Sequence, residues 1–254
     1  MSNNLRSEIV LWMRKYLIEA GKDGFVLGLS GGIDSSVIAL LGQEAVKDIN
    51  KGFLALLLPI KVNHVDYYDE QIAKDIVKNF SIPYERIDIT PSYQSFIKIL
   101  GEQETQVCYT NLKARLRMAT VYFYANKFNY LVLGTVNKAE FYIGYFPKNA
   151  SAGDIMPIGD LLKKDIRLIA KSYGLPEYIV HRKASGCIWA NTAEEEWGIT
   201  EDELDKIIEI YEEFGEEYLH LNFDAKKVEL FLKKYKESEH KRRFYPIWKK
   251  EKME

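Results

Sequence analysis

Several features that define other protein classes are scarce in this chain. Its 254 residues include two cysteines, Cys108 and Cys187, which form neither a CxxC pair nor half of a zinc site with suitably spaced histidines. A disulfide framework is therefore excluded, and a reducing cytoplasm is favoured. The longest apolar run, Phe53 to Ile60, is too short to span a membrane, and the N-terminus lacks the regions of a secretion signal. We expect a cytoplasmic protein with no membrane partner.

Neither sign of charge is in large excess. The 35 Lys and Arg residues face 37 Asp and Glu residues, and this net charge of −2 argues against a general nucleic-acid coat. Locally the charges separate: Glu194 to Glu217 holds twelve acids against one lysine, and Lys233 to Lys250 holds eight Lys and Arg against two Glu. The helical spacing of Leu204, Ile207 and Ile208 predicts that the acidic stretch is one solvated helix face.

Short, continuous apolar runs alternate with helical patterns in the chain. Such runs are typical of a parallel sheet that is covered on both faces. The sequence therefore predicts an α/β fold, a doubly wound parallel sheet with helices on both faces, in one domain over residues 1–254. The predicted strands are Phe25 to Ser30, Phe53 to Ile60, Tyr84 to Ile89 and Tyr130 to Gly134. The predicted helices are Leu5 to Glu19, Val37 to Leu41, Asp66 to Phe80, Tyr93 to Leu100, Thr110 to Lys127 and Asp160 to Tyr173.

The turn after the first predicted strand is suited to phosphate. In Ser30-Gly-Gly-Ile-Asp-Ser-Ser36, two glycines let the backbone approach an anion, serines add hydroxyl donors, and the next helix points its first amides the same way. The turn lacks the lysine of a Walker A motif and the spacing of a dinucleotide fingerprint. Because Asp34 alone would repel phosphate, the turn predicts a bridging Mg²⁺.

This turn resembles that of the PP-loop ATP pyrophosphatases, which have an adenine nucleotide α-hydrolase-like fold and transfer AMP from ATP to an acceptor. Downstream segments occur in the order and spacing of the ammonia-dependent NAD synthetases, and the resemblance covers about Gly24 to Pro246. It implies a ligase that amidates deamido-NAD to NAD with ATP and ammonia through an acyl-adenylate, without a glutaminase domain. The matching segments are Asn111 to Met118, Tyr130 to Glu140, Gly144 to Lys148, Asp154 to Lys163 and Glu239 to Arg243.

The resemblance also implies the roles of individual residues. It places Mg²⁺ on Asp34 and on Glu140, which we expect at the end of the fourth strand. Catalytic roles fall to Asp34, Lys163 and Asp154, the last as acceptor of the ammonium proton. The predicted ATP contacts are Gly28, Leu29, Ser30, Gly31, Gly32, Ile33, Asp34, Ser35, Ser36, Thr135, Lys163 and Ser185. The predicted deamido-NAD contacts are Arg115, Lys148, Asp154, His240 and Lys241.

Two segments depart from the family pattern. Residues 149–154 are one residue shorter and lack the first acid, and residues 184–195 lack a proline, a glutamine and an aspartate. A paralogue that amidates another carboxylate, such as nicotinate mononucleotide, is the alternative. A tRNA-modifying or nucleic-acid-binding protein is less favoured, because the cysteines that a tRNA thiolase needs are isolated and the basic stretch is confined to the last twenty or so residues. The resemblance implies a homodimer through the long helix near Tyr122 to Tyr124, and a separate glutaminase partner stays open.

Overall fold

The centre of the computed structural model is a parallel sheet with the strand order β3-β2-β1-β4. The structure describes residues 2–62, 64–101, 105–183 and 192–249. The chain builds the sheet outward in one direction from β1 and then returns to the opposite side with β4. The strand order therefore reverses beside β1, which is where such sheets bind ligands. The strands are β1 (Gly24–Gly28), β2 (Gly52–Leu57), β3 (Tyr84–Arg86) and β4 (Tyr130–Val132).

Helices cover both faces of this sheet. Side chains of β1 alternate between two cores: Phe25 and Leu27 face one, and Val26 faces the other. The predicted doubly wound parallel fold is thereby confirmed. The helices are α1 (Ser2–Glu19), α2 (Ile33–Val46), α3 (His64–Asn79), α4 (Thr90–Leu100), α5 (Gln106–Phe128), α6 (Lys138–Ile143), α7 (Lys163–Ser172), α8 (Glu177–Val180), α9 (Ala193–Trp197), α10 (Glu201–Phe214), α11 (Glu216–Asn222), α12 (Ala225–Glu237) and α13 (Glu239–Arg242).

The first core joins α1, α2, α3, α7 and α8 to the sheet, and the second joins α4 and α5 to its other face. A third core lies among α6 and α9 to α12, where Trp197 and Phe231 are buried. The acidic stretch thus forms several helices rather than one solvated face. Leu204 lies in the third core as its spacing predicts, but Glu201 and Asp205 are buried as well.

None of the helices in the described parts of the chain combines the length and the apolar character that crossing a bilayer requires.

Candidate active site

The turn between β1 and α2 has the shape of an anion site. Gly31 adopts a φ of +87°, and a Cβ there would lie 2.8 Å from the carbonyl oxygen of Asp69. Only glycine suits this position, because L side chains disfavour the left-handed region and α3 leaves no room. Ser30 Oγ accepts a hydrogen bond from the Gly32 amide and lies 2.9 Å from Ser35 Oγ. The turn is therefore held in shape by its own side chains.

Gly32 is the N-cap of α2 and supplies no side-chain cap. The first amides of the helix, with their partial positive charge, are thus left to a ligand or to water. The hydroxyls of Ser35 and Ser36 both donate to the Gly32 carbonyl, at 3.1 and 2.7 Å. These two serines consequently stabilise the turn.

Asp34, in the first turn of α2, pairs with Lys163 at the start of α7. Lys163 Nζ lies 2.8 Å from Asp34 Oδ2 and 3.2 Å from Oδ1. The lysine is 3% exposed, so this is a buried ion pair. Burial alone would lower the pKa of Lys163, but the charges of Asp34, Glu201 and Glu140 outweigh it and raise the pKa above its usual value. These neighbouring charges therefore favour the ammonium form of Lys163.

Glu140 lies in the short helix α6 and not on β4. Asn137 caps this helix: its Oδ1 accepts from the Glu140 amide at 2.9 Å, and Glu140 Oε2 accepts from the Asn137 amide at 3.2 Å. The prediction of a strand end was wrong because this reciprocal capping begins a helical turn soon after β4. The helix holds the carboxylate near the phosphate-type turn.

Glu140 lines the same cavity as Asp34. Loss of solvation, followed by the negative charge of Asp34, raises the pKa of Glu140 to about 8, against the opposing charge of Lys163. Two carboxylates that repel one another would both be stabilised by a divalent cation. The described residues contain no cluster of three or more His, Cys, Asp or Glu able to hold a metal. Mg²⁺ bound with a nucleotide needs only one or two protein carboxylates, so this pair fits it.

These groups open into a cavity of about 1050 Å³ at the carboxyl ends of the strands. Its walls include most of the predicted ATP contacts and both predicted magnesium ligands. Gly31 and Ser36 do not line the cavity, and Ser185 lies outside the described residues. The predicted residues that line the cavity are Gly28, Leu29, Ser30, Gly32, Ile33, Asp34, Ser35, Thr135, Glu140, Lys163 and Lys241.

The predicted contacts in the basic tail meet the loop after α6. Lys241 Nζ donates to the carbonyl oxygens of Gly144 and Phe146 at 2.7 and 2.9 Å, and Lys148 Nζ donates to that of His240 at 2.7 Å. Gly144, at a φ of +67°, permits this approach, since a Cβ there would lie 2.1 Å from Ser238 Cβ. The tail is thus fastened to the rim of the cavity, where Lys241 lines the wall and His240 is exposed.

Arg115 and Asp154 lie outside the walls of this cavity. Arg115 is exposed on α5. Burial is the main reason that the pKa of Lys241 is lowered, and the positive charge of Arg115 lowers it further. Asp154 is exposed beside the edge of β4, where it accepts hydrogen bonds from the Tyr122 hydroxyl at 3.0 Å and the Val132 amide at 2.8 Å. The structure therefore separates these two predicted substrate contacts from the phosphate-type turn.

Other charged residues line the cavity without having been predicted. Lys113 and Arg117 of α5 are on its wall, and Arg117 Nε donates to the Leu58 carbonyl at 3.0 Å. Arg182 also lines the cavity and pairs with Asp69 of α3. The i,i+4 spacing of Lys113 and Arg117 placed them on one helix face, but only tertiary packing shows that this face is turned toward the cavity.

Comparisons with known proteins agree with this geometry. The family model for NAD synthase matches residues 5–245. The NH3-dependent NAD+ synthetase of Finegoldia magna is 37% identical over 242 residues, which are 94% of this chain and 93% of that protein. The structure of NMN synthetase from Francisella tularensis superposes with a TM-score of 0.86 at 30% identity, covering 97% of this chain and 98% of that one. The NH3-dependent NAD synthetase from Campylobacter jejuni, in complex with the nitrate ion, gives 0.80 at 27%, covering 98% and 99%. This chain belongs to the NAD synthase family.

Proposed function

We propose that this protein amidates deamido-NAD to NAD, using ATP and ammonia and releasing AMP and pyrophosphate. The observation that carries the proposal is the buried contact of Lys163 with Asp34, beside Glu140, at the phosphate-type turn. The Finegoldia and Campylobacter relatives are both NH3-dependent NAD synthetases, which supports ammonia as the nitrogen donor and NAD as the product. The site and the family thus support the same reaction.

The chemistry consists of two substitutions. A carboxylate oxygen of the nicotinate group attacks the α phosphorus of ATP, the bond from that phosphorus to the bridging oxygen of the β phosphate breaks, and pyrophosphate leaves. Ammonia then attacks the acyl carbon of the resulting acyl-adenylate, gives up a proton and expels AMP. Adenylation thereby replaces a carboxylate oxygen, which is a poor leaving group, with AMP, which is a good one.

The first substitution concentrates negative charge, and the residues of the turn and of α7 are suited to offset it. The first amides of α2 and the Ser30 hydroxyl face the phosphates, and Lys163 supplies a fixed positive charge. Such groups accelerate the reaction because they are oriented before the charge develops on departing pyrophosphate. Arg182, on the same cavity wall, adds a second cation.

Asp34 and Glu140 are the residues that would hold Mg²⁺. Burial, followed by the negative charge of Asp34, raises the pKa of Glu140, and a bound cation would offset both effects. When bound, Mg²⁺ would neutralise phosphate charge as pyrophosphate departs.

The acceptor would bind at the rim of the cavity formed by the loop after α6 and the tail. Lys241 and Lys148 offer ammonium groups close to backbone carbonyls there, and His240 and Arg115 are exposed at the surface. Asp154 remains our candidate for accepting the ammonium proton. Because the Tyr122 hydroxyl and the Val132 amide already donate to it, it would act from a fixed position.

A second candidate is amidation of nicotinate mononucleotide. The likeness to NMN synthetase from Francisella tularensis favours it, and the shortened loop at residues 149–154 lies on the acceptor side. The two candidates share the ATP chemistry and differ only in the length of the carboxylate substrate. A panel of substrates therefore distinguishes them.

The test supplies purified protein with ATP, Mg²⁺ and ammonium, plus either deamido-NAD or nicotinate mononucleotide. We expect NAD, AMP and pyrophosphate in equal amounts from deamido-NAD. AMP formed without NAD would contradict the proposal. Faster turnover of the mononucleotide would favour the second candidate, amidation of nicotinate mononucleotide. Replacing ammonium by glutamine should abolish the reaction unless a separate glutaminase is added.

We also propose that two copies of the chain associate through α4 and α5. Phe123 on α5 is 64% exposed, Ile99 on α4 is 79% exposed, and Phe96 and Phe123 border a groove of about 350 Å³. Apolar side chains gathered in this way on one face favour a protein contact. The same helix carries Tyr122 and Arg115, so a second copy would lie next to the acceptor side of the site.

A further inference from the structure

A buried carboxylate behind Lys163 is not used by the reaction as described above. Glu201 begins α10 and is 6% exposed. Its Oε2 accepts from Arg167 Nη2 at 2.7 Å, whereas its Oε1 has no hydrogen-bond partner within the described residues. An unsatisfied buried carboxylate oxygen is costly, and most proteins avoid one. This oxygen lies 3.5 Å from Lys163 Nζ.

Lys163 is thus placed between two carboxylates. It makes its shorter contact with Asp34, at 2.8 Å, and its longer one with Glu201. A shift of about 0.6 Å toward Glu201 would bring the longer contact to ordinary hydrogen-bond length. A buried ammonium that loses its counterion is strongly unfavourable, so Lys163 can leave Asp34 only toward another anion. Glu201 is the carboxylate that already lies 3.5 Å from it.

Neighbouring residues fix Glu201 in a position from which it could accept Lys163. Arg167 pairs with Oε2 and also with Asp202, at 2.8 Å, and the Glu201 amide donates to Glu194 Oε1 at 2.9 Å. These contacts fix the backbone and one oxygen of Glu201. They leave Oε1 directed toward Lys163.

We propose that Glu201 is a positioning residue that receives Lys163 when Asp34 engages the Mg²⁺ of bound ATP. The inference rests on the proposed function, because only ATP with its cation draws Asp34 away from the lysine. Without Glu201, Lys163 stays on Asp34 and competes with Mg²⁺. The expected consequence is a weakened response to Mg²⁺ rather than a loss of the nucleotide site.

The experiment compares the Glu201→Gln variant with the Asp202→Asn variant. Asp202 contacts the same arginine from the same helical turn but is 76% exposed and does not contact Lys163. Binding of α,β-methylene ATP, which cannot be cleaved at the reacting bond, is followed by calorimetry as Mg²⁺ is raised. We expect E201Q to need about tenfold more Mg²⁺ for half-maximal binding. Excess Mg²⁺ should restore binding, and D202N should match the wild type.

A wild-type Mg²⁺ response in E201Q, or an equal loss in both variants, would overturn the inference. If E201Q does not fold, Glu201→Asp replaces it, because the shorter carboxylate keeps its charge near Arg167 and withdraws from Lys163. We expect E201D to need about threefold more Mg²⁺, and an unchanged response there would overturn the inference equally. A wild-type protein that binds no analogue at any Mg²⁺ concentration would instead contradict the proposed function.

Discussion

The ion pair of Asp34 and Lys163 joins residues 129 positions apart in the chain. The sequence could nominate each partner separately: Asp34 because a carboxylate is out of place in a phosphate turn, and Lys163 because cations are disfavoured in the first turn of a helix. It could not predict their contact, which depends on how α7 packs against α2. The pair explains both anomalies, since each charge offsets the other.

Replacing Asp34 by Asn should stop the chemistry and lower stability, but the protein should still fold because Lys163 keeps Glu201 as a counterion. The amide keeps the shape of the side chain but removes the charge that would hold the cation, so pyrophosphate release should fall by about a hundredfold or more. The measurement is pyrophosphate release with ATP and deamido-NAD, alongside circular dichroism. Asp160→Asn, at a side chain that is 95% exposed, is the control and should be active. Wild-type turnover in D34N would remove Asp34 from the proposed site.

The two arginines of α5 lie on different faces of the helix, and the sequence alone does not predict which of them lines the cavity. Arg115 and Arg117 are two positions apart and so point to different sides of the helix. The resemblance selected Arg115, yet Arg117 lines the ATP-sized cavity and Arg115 is exposed. Spacing separates the two faces but does not reveal which one the sheet covers, because that depends on the packing of the whole helix.

Among the elements, α3 is fixed to the end of the sheet by one buried acid. Glu70 is contacted by Lys61 at 2.9 Å, by Lys74 at 2.8 Å and by Arg86 of β3 at 2.5 Å. Burial would raise the pKa of Glu70, but these three cations lower it to about 2. The sequence did not single out this cluster because its members come from three separate segments.

Glu70→Gln should therefore destabilise the protein at neutral pH. The folded-state pKa lies below the unfolded value, so the stabilisation is present above about pH 4.5 and is lost as pH falls through about 2. We expect a loss of about 3 kcal/mol in the free energy of unfolding at pH 7. Urea unfolding at pH 7 and pH 3 measures it, and the difference from wild type should shrink at pH 3. Asp75→Asn, on the same helix, is the control. A difference that grows at low pH would contradict this account.

The short helix α6 depends on its cap to place Glu140. Removing the capping side chain with Asn137→Ala should cost about 1 to 2 kcal/mol of stability, and it should also raise the Mg²⁺ concentration that activity requires. Asp224→Ala, which removes the cap of α12 away from the cavity, is the matched control. It should lower stability without altering the Mg²⁺ requirement. An equal change in that requirement in both variants would show that α6 does not position Glu140.

Element types followed from the sequence more reliably than their junctions. The continuous apolar runs predicted four parallel strands, and the turn at Ser30 to Ser36 predicted the edge that carries the site. The position of Glu140 on a helix, the division of the acidic stretch and the burial of Glu201 were not predicted. The first depends on the capping of α6. The other two depend on the third core, in which α6 and α9 to α12 bury their apolar side chains against one another.

At the scale of the whole molecule, the proposed association of two copies can be tested. If two copies meet through α4 and α5, Phe123→Asp should separate them, because it would place a charge within the apolar contact. Analytical ultracentrifugation should show a dimer for the wild type and a monomer for this variant. Leu221→Asp, on α11 and also exposed in the isolated chain, should leave the dimer intact. A wild-type monomer would contradict the proposed association.

In the proposed reaction the acceptor carboxylate is adenylated before ammonia displaces AMP, and the transfer of an oxygen isotope reveals this order. Deamido-NAD labelled with ¹⁸O in its nicotinate carboxylate is incubated with the protein, ATP, Mg²⁺ and ammonium, and the products are analysed by mass spectrometry. The account predicts that one labelled oxygen appears in AMP for each NAD formed and that pyrophosphate carries none. Unlabelled AMP, or label in pyrophosphate or inorganic phosphate, would contradict it.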